Sequence, residues 1–269
     1  MQDRTRHRQL HSEEHIMRII ISPAKKMNVA DDVLPYQGLP VFLDRTEEIL
    51  EWLRSLSLKE AQKLWGCSDR LAQLNYERLT AMELTGRLTP AVISYEGIQY
   101  QHMAPAVFED RMLEYIQQHL RILSGFYGVL KPMDGVVPYR LEMQAKAAVG
   151  GSGDLYEFWG RSLYEETIDE SGIIINLASK EYSRCIEKYL QSRDVYITCV
   201  FGELDGGKVK QKGTYAKMAR GEMVRFMAEN QVTEPEGLKG FDRMGYSFSE
   251  KFSTNTEFVF IRGGKADIE

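Results

Sequence analysis

Apolar and polar positions change their period several times along this chain. Residues 19–22 begin with the continuous run Ile19-Ile20-Ile21, which predicts a strand buried on both faces. Residues 43–56 and 69–82 repeat apolar positions at helical spacing, with Ser68 placed to cap the second helix. Residues 91–95 read as a strand that ends at Gly97. Residues 107–123 read as one helix that buries Val107, Met112, Tyr115, Ile116, Leu120 and Leu123. A helix capped by Asp154 is predicted over 155–168, a buried strand over 173–177, a helix over 180–190 and a strand over 195–201. Gly206-Gly207 marks a turn into a short strand at 209–213. A long helix follows over 213–230, and strands at 246–248 and 257–261 close the pattern. This mixture predicts a mixed α/β (α+β) fold. The chain shows no repeat, linker or low-complexity tract, and Gly150-Gly151-Ser152-Gly153 reads as a loop inside one domain.

The 213–230 helix carries the most functional information. At 100° per residue, Lys217, Arg220 and Arg225 fall within an arc of roughly 140°. Tyr215, Met218, Met223, Phe226 and Met227 lie mostly opposite. A helix with so broad an apolar side is well buried, and buried cations are costly unless an anion meets them. Two readings follow: an anion-binding cleft, or a solvated basic face beside acidic surface residues.

Composition narrows the alternatives. The chain has 269 residues, 43% hydrophobic and 27% charged, with a net charge of −5. That charge argues against indiscriminate nucleic-acid binding but leaves room for a local basic groove. No apolar run reaches the roughly 18 residues needed to span a bilayer. Three cysteines, Cys67, Cys185 and Cys199, with no paired spacing suit a reducing cytoplasm. Residues 1–16 lack the apolar core of a secretory signal and read as a disordered extension, with the folded domain running from 17 to 269. His7, His11 and His15 lie in that extension, which leaves His102 and His119 in the domain. No histidine- or cysteine-based metal site is assigned, and no cofactor is called for.

Five clusters place polar groups where packing alone does not ask for them. Lys25, in Ser22-Pro23-Ala24-Lys25-Lys26, follows the first strand at the end where α/β proteins build sites. In Tyr139-Arg140-Leu141-Glu142-Met143, an extended backbone puts Arg140 and Glu142 on one face, where they can pair. Leu155-Tyr156-Glu157-Phe158-Trp159-Gly160 is an aromatic stripe of the kind that usually belongs to a core. Asn176 to Tyr182 leaves a strand and enters a helix, with Ser179 either a simple cap or part of an anion site at the helix N-terminus. Gly125 and Gly128, three apart in Ser124-Gly125-Phe126-Tyr127-Gly128, suit a tight turn of exposed amides or an ordinary connection.

Together these segments closely resemble the YaaA family of bacterial peroxide-stress proteins. The matching stretches are IIISPAKKM at 19–27, LRILSGFYGVLKPMD at 120–134, PYRLEM at 138–143, DLYEFWG at 154–160, INLASKEY at 175–182 and YAKMARGEMVRFMAEN at 215–230. Gly240-Phe241 and Gly245-Tyr246 complete the series. Lys26 stands where many members have threonine, and Gln144 where glycine is common. The resemblance implies a single domain of unusual topology with a positively charged cleft and a helix-hairpin-helix element at 123–128. It implies a cytoplasmic double-stranded DNA-binding protein that protects DNA against peroxide and limits free intracellular iron. It implies a cleft formed by Lys25, Arg140, Lys217, Arg220 and Arg225, supported by Asn176, Ser179 and Tyr182.

A rival expectation starts from the carboxylates. Binding phosphate needs lysines, arginines and amides, not Glu142 and Glu181 beside them. With Lys25 as an activated amine, these groups read as the acid/base set of an enzyme acting on a small anionic, nucleotide- or nucleobase-like ligand in the same cleft.

Overall fold

The computed structural model describes residues 16–30 and 32–263. The reading of 1–15, including the three spaced histidines, lies outside these residues. The fold is organised by one sheet. Its strands run in the order Tyr246–Phe248, Glu257–Arg262, Val195–Asp205, Ile173–Leu177, Arg18–Ile21, Leu120–Ser124 and Gly128–Leu130, and Lys208–Lys210 pairs with Val195–Asp205 off this path. The five inner strands are parallel, and the two outermost strands join antiparallel. Parallel strands need cover on both faces, which is why Ile19, Ile20 and Ile21 are all completely buried. The result is a mixed α/β domain.

The order of the strands creates a gap. After Arg18–Ile21 the chain eventually returns as Leu120–Ser124 on one side, whereas after Ile173–Leu177 it returns as Val195–Asp205 on the other. Neighbouring parallel strands whose connections diverge leave a crevice outside their carboxyl ends, where open α/β sheets bind ligands.

Local chemistry explains where the sequence reading of elements differs. The 107–123 segment is a helix only over Asp110–His119 and a sheet strand over Leu120–Ser124. The buried Arg121 guanidinium donates to the carbonyls of Gln117, Gln118 and Leu120, which closes the helix end and lets the chain turn into the sheet. Val107, expected inside, is 67% exposed. The 155–168 helix is two short ones, Leu155–Trp159 and Ser162–Thr167, because Gly160 takes φ +53° between them. Residues 91–95 are a helical turn, Ala91–Ser94, followed by the two-residue strand Tyr95–Glu96.

The helix-hairpin-helix assignment at 123–128 is also corrected. Leu120–Ser124 and Gly128–Leu130 form an antiparallel β-hairpin at the sheet edge, and its turn is buried. Ser124 Oγ accepts the amides of Phe126 and Tyr127, and Gly125 O accepts Trp159 Nε1. These groups are spent inside the protein. The glycines serve packing: a Cβ on Gly125 would lie 2.9 Å from Leu141 O, and Gly128 sits at φ +77°. Helices joined by a short glycine-bearing turn do occur at Leu58–Trp65 and Asp69–Thr80, where Gly66 adopts the left-handed conformation.

Candidate functional site

The crevice between the diverging strands is a cavity of about 540 Å³. Its walls come from segments far apart in sequence. The loop after the first strand supplies Ser22 to Lys26, the extended 139–142 segment supplies Arg140 and Glu142, and the start of the Lys180–Glu187 helix supplies Glu181 and Tyr182. The Gly213–Asn230 helix supplies Lys217 and Arg220. Ser22 Oγ accepts the Ser179 amide at 2.8 Å and lies 3.1 Å from Ser179 Oγ, tying the two strand ends together at the cavity. Ser179 is therefore the helix N-cap by position, but its hydroxyl is turned to Ser22.

The helix reaches the site because of its small residues. Ala216, Ala219 and Gly221 are buried, and at Gly221 the helix presses against the Ile98–Met103 helix. Gly221 is in closest contact, since a Cβ there would overlap the Gln99 carbonyl and lie 3.0 Å from Met103 N. Lys217 and Arg220, within one turn of that crossing, are carried to the cavity wall.

Charge pairing divides the cations into two sets. Lys25 Nζ meets Glu142 Oε1 at 2.6 Å, and Lys26 Nζ meets Glu96 Oε1 at 2.7 Å. Arg140, Lys217 and Arg220 have no carboxylate partner among the described residues. Arg140 Nη2 reaches only the Trp65 carbonyl, at 3.5 Å, and the Nε atoms of Arg140 and Arg220 are buried without a hydrogen-bond partner there. Burial pulls the Arg220 guanidinium below its usual range. Three positive groups from two elements thus face a pocket without carboxylate partners, and for the partly buried Arg140 and Arg220 this is a costly arrangement that an anion relieves.

The acidic groups sit close together. Glu181 accepts the Gln144 amide at 3.2 Å. Burial raises its carboxyl above the usual range, and the neighbouring Glu142 carboxylate adds to that, against the Gln144 amide and Lys25. Lys25 itself is 66% exposed along its side chain and ion-paired, whereas an activated amine needs desolvation, so its assignment as a nucleophile is corrected to that of a paired cation at the rim.

Two other expected residues lie elsewhere. Arg225 is absent from the cavity wall: its Nε donates to Glu229 Oε1 at 2.7 Å, in an ion-pair chain that continues through Arg243 to Glu222. The i,i+4 spacing of Arg225 and Glu229 was the sequence signal for this pairing. Asn176 acts one step back from the cavity, accepting the Ala178 amide at 2.9 Å and so shaping the turn from strand to helix. Glu142 pairs with Lys25, while Arg140, its expected partner, bonds to Trp65.

Sequence reading missed the wall formed by Glu96, Gln99 and Tyr100. Gln99 is only 7% exposed, and its Nε2 has no partner among the described residues. A glutamine and a glutamate flanking Gly97 in an otherwise apolar stretch was the available signal.

Comparison with known proteins decides the family. The family described as "Peroxide stress protein YaaA" matches residues 17–252. The chain belongs to this family. It is 59% identical to a UPF0246 protein of Agathobacter rectalis over 91% of this chain and 99% of that one. It is 56% identical to a UPF0246 protein of Lachnoclostridium phytofermentans over 92% and 97%, and 53% identical to a UPF0246 protein of Desulfitobacterium hafniense over 91% and 98%. Among the described residues, no helix is long and apolar enough to cross a membrane.

Proposed function

We propose that this peroxide-stress family member binds double-stranded DNA by its phosphates, with the cavity cations as the contact set, and so shields DNA while limiting free intracellular iron by an indirect route. The observation that carries this reading is the convergence of Arg140, Lys217 and Arg220, without carboxylate partners, on one pocket. Lys25, Lys26 and Lys217 are exposed at the rim, where a strand backbone can reach them. Contacts of this kind give affinity with little choice of sequence. The iron effect is assigned an indirect route because the sequence contains no Glu-x-x-His arrangement of the ferritin type. Direct sensing by the two buried thiols is disfavoured too: burial pushes Cys185 and Cys199 up to about 12, and peroxide oxidises thiolates.

A second reading is favoured by one specific observation. Glu142 and Glu181 share the cavity with the cations, and Glu181 holds its proton more tightly than an ordinary carboxylate. That combination suits general acid/base work on a small anionic, nucleotide-like substrate. Fluorescence anisotropy of the full chain with a short labelled duplex, at several salt concentrations, tests the first reading. Affinity that falls steeply with salt supports it, and no binding at low salt refutes it.

A further inference from the structure

The cavity holds more chemistry than phosphate binding requires. A phosphate is repelled by carboxylates, yet Glu142 and Glu181 stand together in the wall. Carboxylates in a ligand site call for N–H donors on the ligand. Gln99, buried with an unpartnered amide nitrogen, offers a donor and an acceptor of the kind that reads the edge of a base.

The apolar part of the wall is aromatic. Tyr100, Tyr139 and Tyr182 line the cavity and are 3%, 8% and 6% exposed. The hydroxyls of the first two are engaged inside the protein: Tyr100 donates to Ser22 O at 2.9 Å, and Tyr139 lies 2.6 Å from Ser124 Oγ and 2.8 Å from Tyr95 OH. Phe126 is stacked on the Tyr139 ring at 4.8 Å, so these side chains offer the cavity apolar ring edges, which suit van der Waals contact with a heterocycle. A volume of about 540 Å³ lies in the range of small-ligand sites, and a stacked duplex does not fit inside it.

We propose that the cavity is a single-nucleotide site, which holds the phosphate of one nucleoside phosphate on Arg140, Lys217 and Arg220, packs its base against the tyrosine ring edges and takes the base's N–H edge on Glu142, Glu181 and Gln99. This rests on the phosphate-binding reading of the same cleft. The ligand's chemistry is common to a free mononucleotide and to a nucleotide extruded from a duplex, whose base edge becomes available only outside the stack. Bases with an exocyclic amino group complement the carboxylates better than uracil or thymine does.

Isothermal titration calorimetry of the full chain with AMP, GMP, CMP, UMP and inorganic phosphate tests the proposal, beside anisotropy with a paired and a mismatched duplex. The expected result is that at least one amino-bearing mononucleotide binds about tenfold tighter than inorganic phosphate and than UMP, the scale of one good base contact. Glu181→Gln should erase that preference while inorganic phosphate binds more tightly, as the loss of a repelling carboxylate requires, and Lys217→Ala should weaken all four nucleotides alike. Glu142→Gln gives the same reading should Glu181→Gln fail to fold. Tighter binding of the mismatched duplex than the paired one assigns the nucleotide to an extruded source, and equal binding of the two assigns it to free nucleotide. Mononucleotides that bind no better than inorganic phosphate, while the duplex still binds, overturn this proposal and leave the phosphate-binding reading standing. Loss of duplex, phosphate and nucleotide binding together overturns both.

Discussion

Gly221→Ala is the substitution that most sharply probes how the basic helix is placed. Two effects oppose each other. In an isolated helix, alanine in place of an interior glycine is favourable by about 1 kcal/mol, through propensity and a less mobile unfolded chain. In this fold, the added methyl would overlap the Gln99 carbonyl oxygen and press within 3.0 Å of Gln99 C and Met103 N. These are backbone atoms of the facing helix, so they cannot swing aside as a side-chain end can. Relief requires the two helices to separate, and overpacking of this kind costs about 1–3 kcal/mol, occasionally more. With contact to backbone at its core, the upper end applies and the clash wins, by about 2 kcal/mol net. For a chain of this size, that lowers Tm by roughly 4–8 °C. Gly213→Ala is the matched control, because a Cβ there meets nothing within 4 Å. Thermal unfolding followed by circular dichroism reads both variants. The separation also moves Gln99, Lys217 and Arg220 apart, so duplex affinity should fall in Gly221→Ala alone. A Tm for Gly221→Ala raised by a few degrees would show that propensity dominates and would refute the close crossing.

Other outcomes follow from the same geometry. Asp134 is 6% exposed, and burial raises its carboxyl from 3.8 to about 6, opposed by the Lys131 amide it accepts. Its ionised form therefore costs stability above about pH 6, and that cost, at most about 3 kcal/mol, is relieved as pH falls towards the unfolded value. Asp134→Asn should then be more stable than the parent at pH 7.5 in urea denaturation, with the difference shrinking below pH 6; a difference independent of pH contradicts this. Tyr139→Phe strips the buried hydroxyl that lies between Ser124 and Tyr95, and should lower unfolding free energy by about 1–3 kcal/mol in the same assay.

Much of this architecture was legible in the sequence, and the exceptions have physical causes. The 213–230 helix and the 173–177 strand coincide with Gly213–Asn230 and Ile173–Leu177, because each has an unbroken pattern bounded by turn residues. The 107–123 segment misled because Leu120 and Leu123 fit a helical stripe as well as a strand, and the deciding event, the parallel pairing of 120–122 with 19–21, is a tertiary arrangement. Lys25, Arg140, Glu142, Glu181, Lys217 and Arg220 do meet at one cavity, drawn there by strand ends and a helix crossing that local patterns only hint at. Arg225 was misplaced because its helical angle matched the basic face while its local partner Glu229 took it away from the cleft. Spacing leaves Gly125 and Gly128 open between a turn of exposed amides and an ordinary connection, because it cannot reveal that the Phe126 and Tyr127 amides are already bonded inside the sheet edge.

The central claim is that cations on the cavity wall, rather than basic residues in general, bind phosphate. Its most direct test is a set of parallel salt titrations of duplex binding by the parent protein, Lys217→Ala and Arg225→Ala. A lost phosphate contact lowers the slope of log K against log salt by about 0.9. The account predicts that Lys217→Ala shows this shallower slope with weaker affinity for every duplex sequence, and that Arg225→Ala matches the parent. Slopes that are unchanged in Lys217→Ala, or reduced only in Arg225→Ala, would contradict it.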